Sequence, residues 1–375
     1  MAGNKIRVGI VGLGAISFVH EAGYSQVADL CEIVAMCDLR AEEVAGRAAM
    51  YDAQAYTRYQ DLLDDPAVDL VDVTVPHHLH YAVALAAIEQ GKHVLVEKPI
   101  AVNSEQGQHL IERAQEVGVK FGVAENTRFV TAYQKAAEIL KERTLGDTWI
   151  VRTLIAGSEV YRIKDPDMWH GKAPYGGVVL DSAVHSFYLF KWLFGGVRDV
   201  FGIVSRIVPE GETEDNGLIL GHLASGAEFQ LHTSCTMEIP WTERLEVYGS
   251  KGGMIVDQLV DPVVKYYQGS NDIDGTVVEG VPFDPFAWKY NSIVVEVQDF
   301  VSAIGEDRKP LVDPLDALYA LRAVEAVARS IFRSSARTSA SRCYAGAALP
   351  WALITMLMTS VLSLRIRCRW TSWLP

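Results

Sequence analysis

Three side chains, Lys98, Asp181 and His185, have the chemistry that proton movement requires. Lys98 follows the apolar run 93–96, which predicts a short buried strand. In an open parallel sheet, ligands bind at the carboxyl ends of the strands, where this lysine is expected. Asp181 and His185 are four residues apart in a predicted helix and so share a face. A lysine, an aspartate and a histidine are the groups a dehydrogenase needs to move a proton while a nicotinamide moves a hydride.

Each of the three residues also has a simpler explanation. Lys98 could be a surface lysine, but a strand end before and a proline after favour a fixed position. His185, beside Phe187 and Tyr188, could be a core histidine, and Asp181 could be a carboxylate that interacts with a helix end. Their joint presence favours the catalytic interpretation.

A glycine-rich turn between a predicted strand and a predicted helix indicates a cofactor site. Gly12 allows a tight turn, and Gly14 allows the backbone to approach a pyrophosphate at the helix N-terminus. Ser17 departs from the glycine or alanine usual at the third position. Dinucleotide binding is favoured over a turn without ligand and over a methyltransferase loop, which would leave Lys98 unexplained. The residues predicted to line this site are Gly12, Gly14, Ala15 and Ile16.

The next predicted strand ends at Asp38, 24 residues after Gly14. A carboxylate there binds the adenosine ribose and repels a 2′-phosphate, which favours NAD. Arg40 lies two residues further and could attract that phosphate, so NADP stays open as the second cofactor.

These residues need elements that position them. Predicted strands alternate with helices through residue 124, which indicates a doubly wound parallel sheet of the Rossmann type. After Phe129, strand-like segments dominate, with one long helix at about 178–194, which predicts an α+β domain around a mainly antiparallel open sheet. We therefore predict an α/β protein with a dinucleotide-binding domain at 1–127 and a substrate and oligomerisation domain at 128–338.

Residues 339–375 form an anomalous apolar tail. No Asp or Glu occurs from Ala326 to Pro375, and Tyr344 to Leu364 is long enough to span a bilayer. We expect an extension that is not part of the fold. A membrane anchor and a buried or oligomer-contacting helix stay open.

The composition indicates which kinds of partner and which cellular compartment to expect. The net charge of −13 argues against nucleic acid. The five cysteines show no CxxC spacing, and the N-terminus runs directly into a strand, so reduced thiols, no signal peptide, a cytoplasmic setting and no membrane association are expected. His77, His78 and His80 cluster without a nearby carboxylate or thiol, so no metal is predicted.

Five motifs in order give the chain a resemblance to a family. They are Gly9–Gly14, Pro76–His80, Gly91–Pro99, Arg128-Phe129 and Asp181–His185. The chain resembles the glucose–fructose oxidoreductase/inositol dehydrogenase (Gfo/Idh/MocA) family from about Lys5 to Arg337. The resemblance implies a Rossmann domain, a C-terminal sheet used in homo-oligomers, and oxidation or reduction of a sugar or cyclitol hydroxyl.

The resemblance also implies residue roles. Lys98 of the Glu-Lys-Pro motif would hydrogen-bond the reacting oxygen, His185 would be the general acid or base, and Asp181 would orient the histidine or bind substrate. Ala183 replaces the glycine that the family often has between these two residues. The cofactor-binding set would further include Pro76, His77, His80, Glu97 and Lys98, and the expected substrate-binding residues are Asn126, Arg128, Trp169, Lys172 and Tyr175. For the loop that carries the last three, ordinary packing is an equal alternative.

Two other functions remain in consideration. Some relatives of the family cleave glycosides through transient oxidation with tightly held NAD, and these often carry an export signal, which is not expected here. A non-catalytic NAD-binding regulator would not need Lys98, Asp181 and His185. A dehydrogenase or reductase that acts on a sugar, cyclitol or related polyol is therefore the main hypothesis.

Overall fold

The first sheet is fully parallel. The computed structural model describes residues 5–339, with side chains as far as residue 331. The six strands of the first sheet are β1 (Ile6–Val11), β2 (Cys31–Cys37), β3 (Gln54–Tyr56), β4 (Leu70–Val73), β5 (His93–Glu97) and β6 (Phe121–Ala124). They pair in the order β3-β2-β1-β4-β5-β6, which is the Rossmann order, with its crevice between β1 and β4. The predicted doubly wound parallel sheet is confirmed.

Helices connect these strands, and their ends follow local signals. They are α1 (Ser17–Gln26), α2 (Ala41–Ala49), α3 (Tyr59–Leu63), α4 (His77–Glu89) and α5 (Ser104–Val117). Helix α5 has a clear signal at each end, because the Asn103 side chain accepts from the Gln106 backbone N–H and Gly118 ends it with φ 83°. Helix α4 begins at His77. It starts directly after Pro76, a residue that favours helix starts.

The second sheet has eight strands. They are β7 (Thr148–Ala156), β8 (Val197–Ser205), β9 (Asn216–Leu223), β10 (Glu228–Ser234), β11 (Thr242–Gly249), β12 (Gly253–Asp257), β13 (Val264–Tyr267) and β14 (Thr276–Val277). Their order is β14-β13-β12-β11-β7-β10-β9-β8, and only the pair of β7 and β10 is parallel. The predicted mainly antiparallel sheet is confirmed.

The remaining helical segments link the two sheets or pack against one of them. They are a 3₁₀ turn (Asn126–Phe129), α6 (Thr131–Lys141), α7 (Val160–Lys164), a π-helical turn (Val179–Ala183), α8 (Val184–Phe194), α9 (Trp288–Gly305) and α10 (Pro314–Ser339). Helix α8 packs on the second sheet, with the Phe190 and Phe229 ring centroids 4.9 Å apart. The single helix predicted over 178–194 therefore starts as a π-helical turn that carries Asp181.

Helix α9 belongs to the core of the first sheet, although it lies within the segment 128–338. Val297 and Phe300 share an apolar cluster with Val8 and Ile10. A Cβ on Gly122 of β6 would lie 2.4 Å from the Phe300 ring, so the glycine makes this close approach possible. Both sheets thus share packing with the last helices of the described chain.

The expectations for the tail at 339–375 lie, apart from Ser339, outside the described residues. Within the described part, no helix is long and apolar enough to cross a membrane. Cys31, Cys37 and Cys235 are buried free thiols. Burial raises the pKa of Cys31 and of Cys37 to about 11, which keeps both unreactive.

Candidate active site

The turn after β1 leaves an open groove at the start of α1. Gly12 has φ 95°, and a Cβ there would lie 2.7 Å from the Thr74 carbonyl oxygen, so the position requires glycine. A Cβ on Gly14 would have no described atom within 4 Å. Gly14 and Ala15 are exposed, and Ile16 is half-buried, at a helix N-terminus whose free N–H groups favour phosphate. The groove fits the pyrophosphate of NAD.

Ser17, the departure from the usual glycine or alanine, is integrated into this turn. Its Oγ donates to the Gly14 carbonyl oxygen at 2.7 Å and accepts from Arg47 Nη2 at 3.0 Å. Arg47 Nη1 also donates to the Leu13 carbonyl oxygen at 3.0 Å. The Ser17 hydroxyl therefore donates and accepts hydrogen bonds within the protein. It stabilises the turn and does not obstruct it.

Asp38 lies directly after β2, beside the same turn. Its Oδ2 accepts from the Leu13 backbone N–H at 2.9 Å, and its Oδ1 accepts from Arg40 Nε at 2.8 Å. Burial alone would raise the pKa of Asp38, but the hydrogen bonds from Arg40 and Leu13 hold it below its usual range. An ionised carboxylate thus stands at the position where the adenosine ribose is expected.

Lys98 and Asp181 form an ion pair at the carboxyl end of β5. Lys98 Nζ donates to the Asp181 carboxylate at 2.7 Å and to its carbonyl oxygen at 2.8 Å. Burial would lower the pKa of Lys98, but the charges of Asp181 and Glu97 raise it above its ordinary value. Burial likewise opposes ionisation of Asp181, yet Lys98 and His77 hold its pKa well below the usual range. Both groups are charged at neutral pH, and Lys98 keeps an N–H for a ligand.

His185 has a different acidic partner from the one predicted. Its Nδ1 lies 2.7 Å from Glu125 Oε1 and 3.4 Å from Thr127 Oγ1. Among the described residues, no hydrogen bond joins His185 to Asp181, so the expectation that Asp181 orients the histidine is wrong. Asp181 is drawn to the cation of Lys98, and Glu125 takes the orienting position.

Glu125 was missed in the sequence, although an acid directly after a buried strand, β6, was the available signal. Burial raises the pKa of Glu125, but the neighbouring His185 and the hydrogen bonds from His185 and Thr127 lower it below its ordinary value. The buried carboxylate is ionised, and it can stabilise a positively charged imidazole beside it.

The side chains of two predicted substrate-binding residues, Asn126 and Arg128, are turned into the protein. Both residues lie in the 3₁₀ turn, where the directions of successive side chains differ by about 120° around the helix axis. Asn126 is buried, and its Nδ2 donates to Ser292 Oγ on α9 at 2.8 Å. The guanidinium carbon of Arg128 lies 4.1 Å from the centroid of the Trp192 ring, two turns along α8 from His185. The expectation that Asn126 and Arg128 bind substrate is not supported, because packing already uses both side chains.

Three predicted cofactor residues are also turned into the protein. Glu97 is buried, and its two oxygens meet His20 Nε2 at 3.2 Å and the Lys98 backbone N–H at 2.9 Å. His80 is buried between the carbonyl oxygens of Pro99 (2.8 Å) and Val75 (2.9 Å), and burial lowers its pKa to about 4. These contacts fix the turn that carries Lys98, and direct cofactor contacts by Glu97 and His80 stay a prediction.

His77 is the third of these, and it bridges to the second domain. Its Nδ1 lies 3.2 Å from the Tyr175 carbonyl oxygen, and its Nε2 lies 3.5 Å from Asp181 Oδ1. Burial lowers its pKa below the ordinary value. His77 therefore contacts Asp181, and the preceding Pro76 is half-buried at the β4 end of the crevice. Cofactor contacts by these two residues stay a prediction.

The polar-aromatic loop stacks on the start of α4. The centroid of the Trp169 ring lies 4.1 Å from that of His77 and 4.0 Å from that of His170, and Tyr175 stacks on His78 at 4.2 Å. Lys172 is half-buried in the same loop. Ring stacking thus joins this loop to the cofactor domain, and Trp169 is held between two histidines.

A polar cleft lies beside the Lys98–Asp181 pair. Its charged or titratable lining residues are Asp181, Glu159, Arg162, His170, Glu214 and Cys235. Glu159 and Arg162 pair at 3.1 Å. Burial raises the pKa of Glu214 to about 7. The lining of the cleft offers many hydrogen-bonding groups, and sequence reasoning missed Glu159, Arg162 and Glu214.

Solved structures share this architecture. The WlbA dehydrogenase from Bordetella pertussis, in complex with NADH and UDP-GlcNAcA, superposes with a TM-score of 0.81 at 23% identity, covering 89% of this chain and 97% of that one. Levoglucosan dehydrogenase, in complex with NADH and L-sorbose, gives a TM-score of 0.80 at 20% identity, covering 88% of this chain and 98% of that one.

Sequence comparison agrees with the fold. Residues 6–125 match the oxidoreductase family with an NAD-binding Rossmann fold, and residues 133–255 match the GFO/IDH/MocA C-terminal domain. Myo-inositol 2-dehydrogenase of Thermotoga maritima is 25% identical over 324 residues, which are 84% of this chain and 93% of the relative. The resemblance found in the motifs is thereby confirmed, and the chain belongs to the GFO/IDH/MocA family of NAD-binding oxidoreductases.

Proposed function

We propose that this oxidoreductase transfers a hydride between NAD and a secondary alcohol or ketone of a sugar, cyclitol or related polyol. The proposal rests on the Lys98–Asp181 ion pair. This pair lies at a strand end of the Rossmann sheet and borders the polar cleft. The similarity to an enzyme named for myo-inositol supports this substrate class, as do the ligands of the structural neighbours.

Lys98 would serve as a fixed hydrogen-bond donor to the reacting oxygen. Its raised pKa keeps it protonated at neutral pH, so it is available as a charged hydrogen-bond donor and not as a base. During oxidation of an alcohol, negative charge grows on that oxygen, and a preorganised ammonium stabilises it more in the transition state than in the ground state. Asp181 would hold the ammonium and can accept from a neighbouring substrate hydroxyl.

His185 would take the hydroxyl proton. With Nδ1 turned to Glu125, the other ring nitrogen, Nε2, is the atom left to accept it. When bound, NAD supplies the hydride acceptor in the oxidation and the reduced cofactor supplies the hydride in the reverse direction. The alcohol thus loses a hydride to the cofactor and a proton to His185, and Glu125 stabilises the resulting imidazolium.

A substrate screen tests this proposal. Inositols, aldoses, uronates and nucleotide sugars are each offered with NAD and with NADP, and the absorbance of the reduced nicotinamide is followed. We expect one polyol class to give reduced nicotinamide in proportion to product. Cleavage of a glycoside with no net reduced nicotinamide would instead assign the site to a hydrolase.

The outer face of the second sheet suggests a homo-oligomer. Phe201, Ile203 and Leu220 on β8 and β9 are 43%, 57% and 42% exposed, and Phe201 and Leu220 are directly paired. A patch of this kind often marks an interface, and a second copy of the sheet is the occupant we propose. Light scattering should show a dimer or tetramer that Ile203→Glu reduces to a smaller species, whereas an unchanged mass in the variant would exclude this face.

A further inference from the structure

Arg40 lies between two carboxylates at the edge of the cofactor groove. Its Nε donates to Asp38 Oδ1 at 2.8 Å and its Nη2 to Asp38 Oδ2 at 3.1 Å, while Nη1 pairs with the carboxylate of Glu43 on α2. Nη2 also donates to the Leu13 carbonyl oxygen at 3.1 Å. Four of the five guanidinium N–H bonds are thus directed at acceptors of the protein itself.

The carboxylate of Asp38 is equally occupied. Oδ1 accepts from the backbone N–H and the Nε of Arg40, and Oδ2 accepts from Leu13 N–H and from Arg40 Nη2. A carboxylate offers about four acceptor positions. A ribose hydroxyl can therefore reach Asp38 only when the Arg40 side chain moves away.

Glu43 gives Arg40 an alternative partner during that movement. The Arg40 side chain is 57% exposed and can turn outward, and Glu43 is three residues along at the start of α2. With Asp38 and Glu43 both ionised, the three side chains carry a net charge of −1. A 2′-phosphate would meet this charge instead of a free guanidinium.

We propose that Glu43 is a cofactor-specificity residue, which holds Arg40 away from the adenosine 2′ position and so disfavours NADP. This role adds to the repulsion of a 2′-phosphate by Asp38, because Glu43 would keep Arg40, two residues after Asp38, from binding that phosphate. A competing explanation is that Glu43 only stabilises the N-terminus of α2. Glu42 shares that position, is exposed and has no ion pair among the described residues, so it provides a matched control.

Equilibrium binding of NADH and NADPH to the full-length protein, followed by nicotinamide fluorescence, tests the proposal without any substrate. Four variants are compared with the parent: Glu43→Gln, Glu42→Gln, Arg40→Ala and the combination of Glu43→Gln with Arg40→Ala. Since exposed ion pairs are weak, we expect Glu43→Gln to raise the ratio of NADPH to NADH affinity by about two- to fivefold. Glu42→Gln should change it less, and adding Arg40→Ala to Glu43→Gln should abolish the gain.

Three results would overturn the proposal. Glu43→Gln could leave the ratio unchanged, or Glu42→Gln could raise it as much as Glu43→Gln does, which would indicate a general effect of charge. In the parent, Arg40→Ala could weaken NADPH binding more than NADH binding, which would mean that Arg40 already serves as a phosphate ligand.

Discussion

Replacement of Glu125 by glutamine separates charge from geometry in the proposed proton acceptor. Three donors converge on Glu125 Oε1: His185 Nδ1 at 2.7 Å, the Thr127 backbone N–H at 3.2 Å and Thr127 Oγ1. Glutamine has the same length and can place its carbonyl oxygen at this point. It cannot supply the negative charge that stabilises a protonated His185.

The expected loss follows from that change. A buried hydrogen bond to a charged group contributes about 1.5–3 kcal/mol, and each 1.36 kcal/mol corresponds to tenfold in rate. Since the imidazolium forms only as the proton is transferred, we expect kcat for oxidation to fall about 10- to 150-fold in Glu125→Gln, with KM nearly unchanged.

Steady-state kinetics with the substrate from the screen and saturating NAD would measure this loss. NADH affinity and the thermal midpoint serve as controls, because the variant keeps the volume and the acceptor of the parent side chain. A kcat within threefold of the parent across the pH range would refute the role of Glu125. An equal loss in NADH affinity would indicate misfolding of the site.

Three further predictions concern other parts of the site. Lys98→Met should remove turnover with a loss of at least about 2 kcal/mol of transition-state stabilisation while NADH affinity stays near that of the parent; a variant with most of the parent kcat would exclude Lys98 from the reaction. Arg128→Ala should leave kcat/KM nearly unchanged and lower the thermal midpoint slightly, since its guanidinium packs on Trp192; a large rise in KM would restore it as a substrate residue. Because burial raises the pKa of Glu214 to about 7 from 4.5, the folded state binds its proton more tightly than the unfolded state, and stability should fall as the pH rises from about 4.5 to about 7. Glu214→Gln should remove up to about 3 kcal/mol of that fall in urea unfolding, and an unchanged pH dependence would contradict the shift.

Local patterns in the sequence were sufficient for the elements that carry the site. An apolar run followed by Lys98-Pro99 places the lysine at the end of β5, and the Asn103 and Gly118 caps set the bounds of α5. These features depend on residues near one another in the chain. Hydrophobic periodicity and capping therefore identify them without knowledge of the tertiary structure.

The pairing of side chains could not be predicted in the same way. Glu125 and His185 are 60 residues apart and meet because α8 packs beside the 3₁₀ turn. Asn126 and Arg128 looked available for substrate, but α9 and the end of α8 already contact them. Helix α9 lies within residues 128–338 but packs against the first sheet. The hydrophobic periodicity of a helix does not indicate which sheet the helix covers.

The transfer of a labelled hydride tests the central claim most directly. The polyol identified in the screen is prepared with deuterium at the reacting carbon and incubated with NAD and the parent protein, and the reduced cofactor is analysed by mass spectrometry. The proposed function predicts one deuterium in each reduced nicotinamide formed and a slower rate than with the unlabelled polyol if hydride transfer limits turnover. Product formed without deuterium in the nicotinamide would contradict hydride transfer by this site.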